Sequence, residues 1–127
     1  MISRVLVVED SSAMRAFVRA ALEEGGVVEE VVEAESGFEA LRILPREAFE
    51  LAIVDINMPD VNGLELIRFM RNSDKHASTP LLIISSEASE RDRERGLSLG
   101  ANAYLAKPFT AEALIEAVQR LSGETST

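Results

Sequence analysis

Apolar residues change their spacing repeatedly along the chain, and each change predicts a new element. Val5-Leu6-Val7-Val8 is a short continuous apolar run, the pattern of a parallel strand buried on both faces. Met14, Phe17, Val18, Ala21 and Leu22 then recur at helical spacing until Gly25-Gly26 stops that helix. Residues 27–34 read as a second strand, and Glu29, Glu30 and Glu33 predict an edge position, where charge discourages pairing with other chains. Ser36 followed by Glu39 has capping-box spacing and opens a helix that ends at Pro45. Leu51-Ala52-Ile53-Val54 is a third strand and delivers Asp55 at its end. Asn62 with Glu65 marks the next helix start, and Leu64, Ile67 and Met70 supply its apolar stripe. Leu81-Leu82-Ile83-Ile84 is a fourth strand and delivers Ser85. A highly charged segment over residues 87–95 follows, with Gly96 and Gly100 punctuating its far end. Residues 101–106 form a short fifth strand that delivers Lys107, and Thr110 caps a last helix whose Leu114, Ile115, Val118 and Leu121 face inward.

Five strand–helix units in strict alternation predict an α/β fold: a parallel sheet with helices on both faces, because each crossover is right-handed and must cover a face. No internal repeat or low-complexity linker interrupts the pattern. One domain is expected over residues 1–122, with a disordered tail over 123–127.

Composition narrows the function classes. The chain has 127 residues, of which 46% are hydrophobic, enough for a core and against disorder. The absence of cysteine removes disulfides, thiol catalysis and Cys-based zinc sites together. A net charge of −9 and a pI near 4.6 argue against direct nucleic-acid binding and suit a protein that meets other proteins or a cation. No apolar run reaches the length of a membrane span, so a soluble, cytoplasmic protein with no membrane insertion is expected. The single histidine, His76, lies in a polar stretch between Asn72 and Pro80 and is expected to be a solvated loop residue rather than a metal ligand.

In an open parallel sheet, function gathers beyond the carboxyl ends of the strands. Those ends here carry Glu9 and Asp10, then Asp55, then Ser85, then Lys107. Two unit charges about 4 Å apart repel by roughly 4 kcal/mol at an effective dielectric near 20, so the three acids call for a counter-charge. Oxygen ligands suit Mg²⁺, with Asp10 and Asp55 the natural direct ligands. Ser85 and Lys107 are donors aimed at the same crevice. A phosphoryl group on Asp55 has three oxygens needing partners, and the cation, the Ser85 hydroxyl and the Lys107 ammonium can take one each. A carboxylate is a competent nucleophile for such a transfer.

On Val7-Val8-Glu9-Asp10, Asp55-Ile56-Asn57-Met58-Pro59 with Asn62-Gly63, Ile84-Ser85-Ser86, and Gly100-Ala101 through Tyr104 to Lys107-Pro108-Phe109, the chain resembles the response-regulator receiver domain of two-component signalling. The likeness runs from about Arg4 to Leu121. Ser12-Ala13-Met14-Arg15 is similar to the single-domain, CheY-like chemotaxis type. The resemblance implies a flavodoxin-like (βα)5 doubly wound sheet of five parallel strands in the order 2-1-3-4-5. It implies that Asp55 is the phosphorylated aspartate, Asp10 a direct Mg²⁺ ligand, Glu9 an acid acting through water, and Asn57 a ligand through its backbone carbonyl. Ser85 and Lys107 match the family's hydroxyl and lysine, and Lys107-Pro108 its cis peptide. Tyr104 matches the aromatic that moves inward on activation; without the resemblance it reads as a half-buried strand tyrosine. Asn57 and Glu87, two residues beyond Asp55 and Ser85, match positions that tune hydrolysis of the phosphate, and their polarity implies a short lifetime. Two departures are Glu at position 9, where Asp is commonest, and Ser rather than Thr at position 85.

The function so implied is a phosphorylation-dependent signalling switch. It takes its phosphoryl group from a histidine kinase or phosphotransfer protein, promotes only its own phosphorylation and dephosphorylation, and controls a downstream protein through the surface over residues 87–121. No output domain is read after Leu121, so the expected output is a protein–protein contact. Rival readings are a small metal-dependent phosphatase with an aspartate nucleophile and a scaffold receiver that works without phosphorylation. A flavodoxin-like cofactor binder fits poorly, because Glu9 and Asp10 oppose an anion in the first loop.

Overall fold

Val5 and Val7 point to one side of the first strand, Leu6 and Val8 to the other, and all four are fully buried, so that strand must be covered on both faces. The computed structural model, which describes residues 1–86 and 90–123, provides that cover. The elements are β1 (Ile2–Val8), α1 (Ser12–Glu24), β2 (Val28–Ala34), α2 (Gly37–Ile43) and β3 (Leu51–Asp55), then α3 (Gly63–Arg71), β4 (Leu81–Ser86), α4 (Glu90–Leu99), β5 (Ala103–Lys107) and α5 (Ala111–Ser122). The strands form one parallel sheet in the order β2-β1-β3-β4-β5, the doubly wound flavodoxin-like arrangement.

The sheet separates two cores. Leu6, Val8, Ala52, Val54, Leu81 and Ile83 pack with Ala40 of α2 and with Ile67 and Met70 of α3. Val5, Val7, Leu51, Ile53, Leu82 and Ile84 pack on the other face with Val18 and Leu22 of α1 and Leu114 and Val118 of α5. Each large aliphatic side chain so buried contributes roughly 1.5–3 kcal/mol. Side-chain caps start the helices: Ser36 Oγ accepts from Glu39 N at 3.0 Å, Asn62 Oδ1 from Glu65 N at 3.0 Å and Thr110 Oγ1 from Ala113 N at 3.0 Å. At α2 the reciprocal capping-box contact is shifted by one residue, because Glu39 Oε1 accepts from Glu35 N at 2.8 Å. Two of the acids of edge strand β2 are ion-paired: Glu30 faces Arg4 at 3.1 Å, and Glu33 binds Arg15 and Arg19 of α1.

Gly96, which follows the charged segment, lies buried inside α4, which runs on to Leu99, and two other expectations are corrected. A Cβ there would collide with Ile83 Cδ1, so the glycine lets a polar helix lie close on β4. The fifth strand starts at Ala103 rather than residue 101, because Asn102 Oδ1 accepts from Leu81 N at 2.9 Å and holds the turn before it. His76 is not solvated; it is fully buried. Its Nε2 lies 2.7 Å from the Leu44 carbonyl, which follows α2 and needs a donor, and its Nδ1 lies 3.4 Å from Thr79 Oγ1. The carbonyl can only accept, so the proton sits on Nε2. The ring stacks on Phe49 at 6.3 Å.

The Lys107–Pro108 peptide is cis. No helix among the described residues is long and apolar enough to cross a membrane. Glu87 and the tail beyond Gly123 lie outside the described residues.

Candidate functional site

Parallel pairing aligns the carboxyl ends of the central strands. Val8 of β1 is level with Val54 of β3, Asp55 with Ile84 of β4, and Ser86 with Lys107 of β5. Glu9 continues the ladder one step past β1, its N–H donating to Ala34 O at 3.1 Å. One crevice therefore receives Glu9, Asp10, Asp55, Ser85 and Lys107, as the strand ends predict.

Asp55 is the last residue of β3 and is almost completely buried. Its Oδ1 accepts from Asn57 N at 3.0 Å. Behind it, Gly63 N donates to Ile56 O at 3.1 Å, and a Cβ at Gly63 would lie 2.7 Å from both Asp55 O and Ile56 Cα. The start of α3 thus rests directly on the backbone that carries Asp55.

Carboxylate oxygens of Glu9, Asp10 and Asp55 all lie within 4.8 Å of one another, and Asp10 is the exposed member. Lys107 Nζ bridges the two buried acids, 2.9 Å from Glu9 Oε1 and 3.3 Å from Asp55 Oδ2. Glu9 Oε2 accepts from Ser11 N at 3.0 Å. Glu9 Oε1 is buried and, although ion-paired with Lys107, has no well-aligned hydrogen-bond donor. Burial pushes the Glu9 carboxyl up to about 7, and the Asp55 carboxylate pushes the same way against the Ser11 N–H and Lys107. Burial alone would lower the Lys107 ammonium, but Glu9 and Asp55 together outweigh it and raise the group above its ordinary value. One ammonium thus lies against two of the three clustered acids. An all-oxygen donor set with an under-satisfied buried oxygen fits a hard divalent cation such as Mg²⁺.

Ser85 is also fully buried, and its hydroxyl is engaged: Oγ donates to Asn57 Oδ1 at 3.0 Å. Tyr104 sits partly buried at the edge of the α2/α3 core. Its hydroxyl donates to Ser86 O at 3.3 Å, and Arg93 of α4 stacks over its ring at 5.2 Å. Tyr104 therefore touches both the strand that carries Ser85 and the helix beyond it.

The Asn57 side chain also holds the Ser85 hydroxyl, a contact that the sequence position does not reveal. Arg15 was not foreseen as part of the site. Its Nη1 donates to Glu9 O at 2.8 Å while its Nε binds Glu33 Oε1 at 2.9 Å. One signal was legible: Arg15 falls near the start of α1, where the helix dipole disfavours a cation and where no acid stands in the first turn.

Comparison with known proteins gives the family and the fold. The profile of the response regulator receiver domain matches residues 5–119. A chemotaxis protein CheY homolog of Campylobacter jejuni is 36% identical over 124 residues, covering 97% of this chain and 95% of the relative. A probable transcriptional regulatory protein of Picosynechococcus sp. is 41% identical over 120 residues, which are 89% of this chain; the chain spans about half that relative, 46% of its length. The receiver domain of a Pseudomonas aeruginosa sensor histidine kinase, solved with a magnesium ion coordinated in its active-site cleft, superposes with a TM-score of 0.85 at 29% identity, covering 94% of this chain and 97% of that one.

Proposed function

Because the chain belongs to the response regulator receiver family and is a phosphorylation-dependent signalling switch, we propose that Asp55 is the residue that accepts the phosphoryl group. The donor is a phosphohistidine on a sensor histidine kinase or phosphotransfer protein. An Asp55 carboxylate oxygen forms the new P–O bond, the P–N bond to the histidine breaks, and the imidazole leaves with that electron pair and takes up a proton. Asp10, Asp55, the Asn57 backbone carbonyl and, through water, Glu9 would hold Mg²⁺, which would supply positive charge to the carboxylates and to the transferred oxygens.

The chain's own groups do the rest. Lys107 now spans Glu9 and Asp55; after transfer its ammonium serves a phosphoryl oxygen. The Ser85 hydroxyl leaves Asn57 for a second oxygen, which draws the end of β4 toward the site. Tyr104, bound to Ser86 and stacked under Arg93, carries that movement to the surface over residues 87–121 that a downstream protein reads. Asn57, beside Asp55, tunes how long the phosphate lasts, and Glu87 is assigned the same role from its position two residues past Ser85.

The observation that carries this reading is the pairing of three clustered carboxylates with a single bridging lysine at the ends of parallel strands. Intact-mass measurement after incubation with Mg²⁺ and acetyl phosphate tests it. The wild type gains one phosphoryl group and Asp55→Asn gains none; a wild type that gains none refutes the assignment. A phosphatase reading is disfavoured by the family, and a scaffold reading by the intact acids, hydroxyl and lysine.

A further inference from the structure

Glu9 and Asp10 hang on the short segment between β1 and α1, and their backbone has to be held for their carboxylates to meet Asp55. The Glu9 N–H is secured by Ala34 O of β2. The Glu9 carbonyl is secured by a side chain, Arg15 Nη1 at 2.8 Å. That guanidinium is itself fixed: Nε binds Glu33 Oε1 at 2.9 Å, and the side chain is only 15% exposed. Arg19 braces the other Glu33 oxygen at 2.5 Å. Glu33 is therefore held from two sides, and its carboxyl sits below the usual range because of Arg19 first and Arg15 as well.

We propose that Arg15 is a positioning residue for the phosphoryl-transfer site, clamping the Glu9 carbonyl against Glu33 of β2 and so fixing the acids that face Asp55. The clamp joins the start of α1, the edge strand and the acidic loop through one planar group. A planar fork can serve the carbonyl with one nitrogen and the carboxylate with another, whereas a lysine offers a single point charge. This geometry also explains why a cation stands near a helix start, where it opposes the dipole. The contact with a carbonyl distinguishes Arg15 from Arg19, which touches Glu33 and Glu23 but not the loop.

The proposal rests on the reading of Glu9, Asp10 and Asp55 as the phosphoryl-transfer site, and its test separates the two. Mg²⁺ alone is titrated into wild type, Arg15→Ala, Arg15→Lys and Arg19→Ala at a temperature where all are folded. Amide hydrogen exchange at Ser11, whose N–H reaches Glu9 Oε2, is followed in metal-free protein. Groups that orient ligands cost about 10-fold or more in metal affinity when removed. Arg15→Ala therefore binds Mg²⁺ about 10-fold more weakly and exchanges the Ser11 amide faster. Arg15→Lys recovers only part of either loss, and Arg19→Ala stays within about twofold of wild type. Glu33→Ala, which removes the brace and leaves the loop untouched, gives a smaller loss in the same direction and serves if Arg15→Ala does not fold. Wild-type affinity and exchange in Arg15→Ala, or equal losses in Arg15→Ala and Arg19→Ala, overturn the clamp. A wild type that binds Mg²⁺ nowhere near these acids overturns the site reading instead.

Discussion

The Ser85 hydroxyl donates to Asn57 Oδ1 at 3.0 Å in a fully buried setting. In the proposed switch the hydroxyl serves a phosphoryl oxygen, and this bond has to break first. A net hydrogen bond contributes about 0.5–1.5 kcal/mol, or about 2- to 10-fold in an equilibrium. Asn57→Ala is thus expected to favour the activated arrangement of the phosphorylated protein by about that factor. NMR of the residues around Ser85 and Tyr104 reads the populations. Unchanged populations in the phosphorylated variant contradict the latch.

The Lys107 ammonium lies within 3.3 Å of two buried acids, and its own side chain is 24% exposed. Removing one partner of a fully buried pair costs about 3–5 kcal/mol; the exposure of Lys107 reduces that to about 2–3 kcal/mol for Lys107→Ala. The loss is measured by denaturant titration in chelator. Saturating Mg²⁺ shrinks the deficit, because the cation takes over part of the neutralisation. A deficit of the same size with and without Mg²⁺ tells against the shared site.

Glu9 is expected to give metal-free protein an unusual pH dependence. Its folded value of about 7 exceeds the ordinary 4.5. Between those values the folded chain keeps a proton that the unfolded chain has lost. This group's stabilisation is therefore complete below the unfolded value and disappears as pH rises through about 7. In chelator, the wild type loses more melting temperature between about pH 5 and about pH 8 than Glu9→Gln does, at about 3–5 °C per kcal/mol for this chain length. Parallel melting curves for the two proteins across that range contradict the buried, proton-holding carboxyl.

Gly63 is expected to tolerate no side chain, because an added Cβ would lie 2.7 Å from backbone atoms of Asp55 and Ile56. Alanine gains about 1 kcal/mol over glycine in a helix interior, and less at the first position of a helix, where Gly63 stands. Here overpacking against rigid backbone, about 1–3 kcal/mol, offsets that gain or exceeds it. Gly63→Ala should show no net stabilisation in denaturant titrations and slower phosphorylation by acetyl phosphate, since the shift falls on Asp55. A stabilised variant with wild-type phosphorylation rate contradicts the close packing.

Much of this was legible in the chain itself. The runs at Val5–Val8 and Leu81–Ile84 declare themselves because burial on both faces leaves no polar alternation to read. The strand ends then place Asp55, Ser85 and Lys107 together by topology alone. What escaped depends on partners distant in sequence. His76 is surrounded by polar neighbours, yet the Leu44 carbonyl draws it inside. Gly96 looks like punctuation after a charged segment until Ile83 is seen beneath it. Arg15 reads as a surface helix residue until Glu33 and the Glu9 carbonyl come together around it.

The most direct test of the central claim locates the phosphoryl group itself. Wild-type protein is treated with acetyl phosphate and Mg²⁺, the acyl phosphate is reduced with borohydride, and the modified residue is mapped by peptide mass spectrometry. The account predicts a single reduced site at Asp55 that disappears when chelator replaces Mg²⁺. Modification at another residue, or none at Asp55, contradicts it.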